Sequence, residues 1–219
     1  MSPAAQQKKN PRQGKAGSTA NQGKSAGQAS PGSTSSSSGP WLVIGLGNPG
    51  DKYAGTRHNI GRMALDEIAD RQIPAANFST NKRANADVAQ ITQPPLPTLI
   101  LARPRTFMNL SGGPTKALAN FYKVPAERII VVHDELELDS GHVTLRQGGG
   151  DKGHNGLKDI SKALGTKDYW RVSCGIGRPP GRMDPAAYVL KPFPRGEAAD
   201  VAIMCADAAD HIERLIRGL

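Results

Sequence analysis

The chain has 219 residues, 37% of them hydrophobic, which is enough for one sizeable core and makes a single domain the default expectation. Its two cysteines, Cys174 and Cys205, sit in apolar stretches with no metal-ligand spacing and read as buried reduced thiols, and no apolar run nears the roughly 20 residues that span a bilayer. The formal net charge of +9 is uneven: residues 1–40 carry five basic residues and no acid, which leaves 23 basic against 19 acidic residues afterwards.

Residues 1–40 are almost entirely Gly, Ser, Ala, Gln, Pro and Lys. Such a segment cannot bury enough apolar surface to offset the entropy of ordering it, so it is expected to be a disordered basic tail. From Trp41 the pattern changes. "WLVIGL" reads as a buried strand, and "IGRMALDEIADR" puts Ile60, Met63, Ala64, Leu65 and Ile68 on one face of a helix. "ADVAQI" and "PTLILA" read as two strands around a turn with Pro94 and Pro95. Ser111 is then expected to cap a helix in which Leu118, Phe121 and Tyr122 face the core. "RIIVVHDE" is a β-branched run of the kind found in strands covered on both faces. The strand "HVTLRQ", the loop "GGGDKGHNG", a helix to Leu164, the strand "RVSCGIG" and a helix from Glu197 to Arg217 follow. The expected fold class is α/β: one domain over residues 41–219, with a mixed, largely parallel sheet flanked by helices.

The first strand runs into "GLGNPG", whose Gly45, Gly47 and Gly50 match the spacing of a dinucleotide-binding loop. The rest of that motif is missing. Pro49 removes an amide from the loop, the helical pattern starts only near Ile60, and the acid about 20 residues on, Asp70, falls at a helix end instead of a strand end. The glycines read better as a sharp turn that presents Asn48 and the cluster "TRHN" at the sheet edge. "IIVVHDE" ends at the same kind of edge, where ligands bind in open α/β sheets. His58 and Asp134 are therefore expected to meet, giving an imidazole whose tautomer a carboxylate fixes and which can take a proton from water. Asn48, Asn109 and Asn155 all lie at strand-to-helix turns. Amides both donate and accept, so three of them around a base suit a carbonyl substrate and its oxyanion.

"GLGNPGDKYAGTRHNIG", "RTFMNLSG", "VVHDELELDSG", "GHNGLKDI" and "GIGRPPGRMDPAAYVL" together resemble the bacterial-type peptidyl-tRNA hydrolases, in order and over nearly all of the chain beyond residue 40. The resemblance implies a monomeric, cytoplasmic hydrolase with no metal or organic cofactor, cleaving the ester between a peptide and tRNA. It also implies that His58 activates water and Asp134 orients it. By the same resemblance Asn48 distinguishes blocked substrates, Asn109 and Asn155 hold substrate and water, Tyr53, Phe107 and Met108 line the cleft, and Arg146 meets a tRNA phosphate. Lys152 is a further candidate for phosphate contact. It is also a departure, since the family usually has Gly there, and Ser173 stands where a basic residue is usual. The alternative is a non-catalytic RNA-binding relative of the same fold, similar to intron splicing factors. A metal-dependent hydrolase using His58, His133, Asp134 and His154 is disfavoured, because no recognised ligand spacing joins those residues.

Overall fold

The computed structural model describes residues 39–218, so all but the last two residues of the expected tail lie outside the described residues. Strands β1 (Trp41–Gly45), β2 (Ser79–Asn81), β3 (Ala86–Ile91), β4 (Leu99–Pro104), β5 (Ile129–Glu135), β6 (Val143–Gln147) and β7 (Trp170–Gly175) form one sheet in the order β2-β3-β4-β1-β5-β7-β6. The centre, β4-β1-β5-β7, is parallel, and the antiparallel pairs lie at the two sides. The helices are α1 (Asp51–Ala54), α2 (Ile60–Asp70), α3 (Gly112–Tyr122), α4 (Asn155–Leu164), α5 (Pro185–Val189) and α6 (Ala198–Arg217).

The apolar runs are continuous because both faces of the sheet are covered. Val43, Leu101, Ile130, Val132 and Val172 pack against Leu65 and Ile68 of α2 and Ala208 and Ile212 of α6. Their strand neighbours Leu42, Ile44, Ile100, Ile129 and Val131 pack the other way, against Leu118 of α3 and Leu157 and Ile160 of α4. Each such fully buried side chain contributes about 1.5–3 kcal/mol of burial free energy. Cys174 and Cys205 are buried free thiols in the first of these clusters.

Gly45 and Gly61 let α2 settle onto the sheet. A Cβ on Gly61 would lie 2.3 Å from the Val132 carbonyl oxygen, and one on Gly45 would lie 2.5 Å from the Gly61 carbonyl oxygen. The start of α2 is thereby held over the carboxyl ends of β1 and β5, where the site forms. The glycines of the "GLGNPG" turn serve this close packing and the turn itself.

Two expectations change, and two elements are added. Phe121 is 61% exposed, because a position three residues after the buried Leu118 has already turned off the narrow buried stripe of α3. Ser111 does not cap α3 through its side chain: its hydroxyl donates to the Met108 carbonyl at 2.8 Å, and the Gly112 amide is taken instead by Asp159 Oδ2 at 2.7 Å. β2, a short polar edge strand, and α5 were not anticipated.

Candidate active site

The site is assembled from loops at the carboxyl ends of the parallel strands. After β1, Asn48 is fixed by Asn59: the Asn48 amide donates to Asn59 Oδ1 at 2.8 Å and Asn59 Nδ2 donates to the Asn48 carbonyl at 2.9 Å. Asn59 ends the 3-10 turn Arg57–Asn59, so the same pair of bonds fixes the turn that carries His58. Asn48 Oδ1 accepts from the Met108 amide at 2.8 Å, which holds the segment after β4 and leaves the Asn48 amino group as the free donor. On the other side of the turn, the buried Arg57 donates to the Pro192 carbonyl at 2.8 Å and lies between the rings of Tyr188 and Phe193, at 4.5 and 5.1 Å.

His58 and Asp134, 76 positions apart in the chain, are in contact. His58 Nδ1 is 2.9 Å from Asp134 Oδ1 and 3.0 Å from Oδ2. A carboxylate only accepts, so Nδ1 carries the proton and Nε2 is left with a basic lone pair. Burial alone would raise the Asp134 carboxyl pKa; the two imidazoles facing it, His154 and His58, outweigh that and hold it well below the usual carboxylate range.

His154, grouped with His58 and Asp134 in the sequence only as part of a disfavoured metal set, joins them here as a hydrogen-bonding partner that sequence reasoning missed. Its Nδ1 accepts from the amides of Gly156 at 3.1 Å and Leu157 at 3.4 Å, so the side chain caps α4. With Nδ1 accepting, Nε2 carries the proton and donates to Asp134 Oδ1 at 3.0 Å. The only signal in the sequence was its position at the start of a helix, directly before Asn155. His133 lies behind the site with both nitrogens engaged: Nδ1 donates to the Asp134 carbonyl at 2.8 Å, and Nε2 accepts from the Ser173 hydroxyl at 3.0 Å. Burial, and then the neighbouring His154, push its pKa from 6.5 down to about 3, so it is neutral.

His58, Asp134 and His154 open onto a cleft of about 590 Å³, also lined by Asn48, Met108, Asn109 and Asn155. The base and the three expected asparagines therefore share one cavity. Its far wall is α5 and its flanks, from Asp184 to Leu190. Tyr53 and Phe107 pack edge to face at 6.4 Å and are not among the lining residues. Arg146 is exposed on β6, opposite Arg171 of β7. Arg171 is fully buried and donates to the carbonyls of Gly148 and Gly150. Lys152 lines the cleft but is paired with Glu135 at 3.0 Å. Ser173 is buried against His133 and offers nothing to a ligand.

Among the described residues, His58, Asp134 and His154 place three potential ligand atoms within 4.8 Å of one another. A metal would need the Nε2 lone pair of His154, which holds a proton as long as the α4 amides occupy Nδ1. The trio is built for hydrogen bonding. Among the described residues lining the cleft there is no Ser, Thr or Cys to act as a nucleophile, so the arrangement suits activation of water beside a carbonyl. No described helix is long and apolar enough to cross a membrane.

A family model described as peptidyl-tRNA hydrolase matches residues 42–219. A peptidyl-tRNA hydrolase 1 of Corynebacterium jeikeium is 67% identical over 180 residues, covering 82% of this chain and 93% of its own length. A peptidyl-tRNA hydrolase 1 of Corynebacterium glutamicum is 61% identical over 178 residues, covering 81% of this chain and 97% of its own length. A crystal structure of peptidyl-tRNA hydrolase from Acinetobacter baumannii shares the fold with a TM-score of 0.75 at 31% identity, over 81% of this chain and 89% of that one.

Proposed function

The chain belongs to the peptidyl-tRNA hydrolase family, hydrolases of the ester that joins a peptide to tRNA, and we propose that it cleaves this ester with a water activated by His58. The substrate's ester carbonyl enters the cleft beside His58 and the three asparagines. His58 Nε2 takes a proton as the water oxygen attacks the carbonyl carbon. Asp134, ionised and fixed by two imidazoles, stabilises the imidazolium that forms. Amide donors of Asn48, Asn109 and Asn155 meet the tetrahedral oxyanion. The carbon–oxygen bond to the ribose then breaks, and the leaving ribose oxygen takes its proton from His58. The products are free tRNA and a peptide with a free carboxyl group.

Asn48 contributes selectivity as well: its free amino group, aimed by the Met108 amide on its own carbonyl, reads the peptide bond that a blocked substrate has and a free aminoacyl ester lacks. Tyr53 and Phe107 form an apolar edge for the peptide, and Met108 packs below it. Arg146 meets a tRNA backbone phosphate. As proposed, the reaction runs in a cytoplasmic monomer and uses no metal or organic cofactor. The observation that carries this reading is the His58–Asp134 contact at 2.9 Å in the cleft that holds all three asparagines. The alternative of a non-catalytic RNA-binding relative is not favoured by the kinship to named hydrolases.

The test is release of peptide from N-blocked aminoacyl-tRNA by the wild-type chain and by His58→Ala, both with a chelator. Release that survives chelation and falls at least about a hundredfold in the variant is expected. No release by the wild type, with tRNA still bound, refutes the proposal.

A further inference from the structure

Lys152 carries a departure that the reaction above does not use. Residues Asp151–His154 form a tight turn in which the His154 amide donates to the Asp151 carbonyl at 2.7 Å. Both central residues have positive φ, 46° for Lys152 and 83° for Gly153. Position 152 is thus a place where glycine sits without cost and a lysine carries backbone strain. The ammonium, 41% exposed, pairs with the largely buried carboxylate of Glu135, and this contact opposes the strain of the turn. A glycine would avoid that strain altogether, so the turn itself does not call for a lysine.

The cleft gives it a purpose. Asp134, Glu135, Asp151 and Asp184 all line the cavity, and among the described lining residues Lys152 is the one Lys or Arg. A wall of four carboxylates repels a polyanion. Glu135, 8% exposed in its side chain and also accepting from the Glu137 amide at 3.1 Å, aims the ammonium into the cavity. An ammonium has three protons, and Glu135 Oε2 engages one of them.

Resting on the proposed function, we propose that Lys152 is a specificity-determining residue which binds the phosphodiester of the substrate's 3′-terminal nucleotide. The scissile ester sits on the ribose of that nucleotide, so its own phosphate is the one that must lie nearest His58. Arg146, exposed on β6 and not among the residues that line the cleft, is left to meet a different phosphate. Lys152 would thus favour an ester carried on a nucleic acid over an ester carried on anything uncharged.

The informative variant is Lys152→Gly, because glycine suits the turn and relieves its strain, and adding Glu135→Gln removes the carboxylate that the single variant leaves unpaired. Four measurements go together: KM and kcat on N-blocked aminoacyl-tRNA, the same on an N-blocked aminoacyl ester of adenosine, which has no phosphate, the salt dependence of uncharged-tRNA binding, and all three in Lys152→Gly/Glu135→Gln. For Lys152→Gly, KM on the tRNA substrate is expected to rise about tenfold with kcat nearly unchanged, the equivalent of one partly exposed charge-assisted hydrogen bond. The slope of log affinity against log salt falls by about one, the adenosine ester changes by no more than about twofold, and the double variant keeps the defect. An equal loss on the adenosine ester, an unchanged salt slope, or recovery in the double variant overturns the proposal, since Lys152 would then act through the turn or merely neutralise Glu135. Failure of the wild type to hydrolyse either ester would refute the proposed function, and the tRNA-binding slope would still decide the role of Lys152.

Discussion

Lowering the pH should destabilise this protein through His133 before it does so through Asp134. His133 is 2% exposed on β5, its pKa is pushed from 6.5 to about 3, and the Ser173 hydroxyl that donates to it can turn and accept if it is protonated. The penalty on the charged form is therefore mainly burial. The folded pKa lies below the unfolded one, so between 6.5 and about 3 the unfolded chain binds the extra proton and stability falls as pH falls. At about 1.4 kcal/mol per pH unit, the loss from pH 6.5 to about pH 4.5 is about 3 kcal/mol, a large share of the total for a domain of this size. Asp134 enters only at the acid end of this window: its carboxyl is depressed in the folded state and has the ordinary value of 3.8 in the unfolded chain, so its stabilising contribution is kept at pH 4.5 and above and is lost as pH falls through 3.8, equally in both chains. Urea unfolding of the wild type and His133→Gln at about pH 7 and pH 4.5 isolates the effect, because all other histidines are common to both chains. The wild type should lose about 3 kcal/mol more than the variant between the two pH values. Equal losses in the two chains would show that His133 is not the buried neutral group described.

Gly61→Ala should lower Tm by about 6–12 °C, since the new methyl group meets the Val132 carbonyl oxygen and the Leu46 amide at 2.3 and 2.7 Å, and neither backbone atom can rotate away; thermal unfolding checks this. His154→Ala removes the cap of α4 and one of the two N–H donors to Asp134, so stability should fall by about 1 kcal/mol and peptide release by about tenfold. A release rate in that variant as low as in His58→Ala would mean that His154 is as necessary to the proton transfer as His58 and does more than hold Asp134.

The parallel centre of the sheet was legible because its strands are covered on both faces and so read as unbroken apolar runs, as in "IIVVHDE". The start of α2 at Ile60 was legible from its apolar spacing and, with Pro49 and the misplaced Asp70, separated the "GLGNPG" turn from a dinucleotide loop. The meeting of His58 with Asp134 followed from a topological rule about strand ends. β2 was hidden because "STN" is a polar edge strand with no apolar alternation. Phe121 misled because an aromatic at helical spacing is read as buried, whereas the stripe on α3 is narrow. The roles of His154, Arg57 and Lys152 depend on which way a side chain turns from a loop, and that direction comes from partners far away in sequence: Asp134, Pro192 and Glu135.

The strand that carries Asp134 has a consequence for how the protein is made. β5 lies between β1, synthesised long before it, and β7, which begins only at Trp170. Until β7 leaves the ribosome, β5 is an apolar edge strand with a row of unpaired amides and carbonyls, the kind of edge that recruits other strands. His154, the second imidazole on Asp134, is likewise translated well after His58. His58, Asp134 and His154 can therefore come together only after residue 154 has been made, and β5 is covered on both edges only once β7 has joined the sheet.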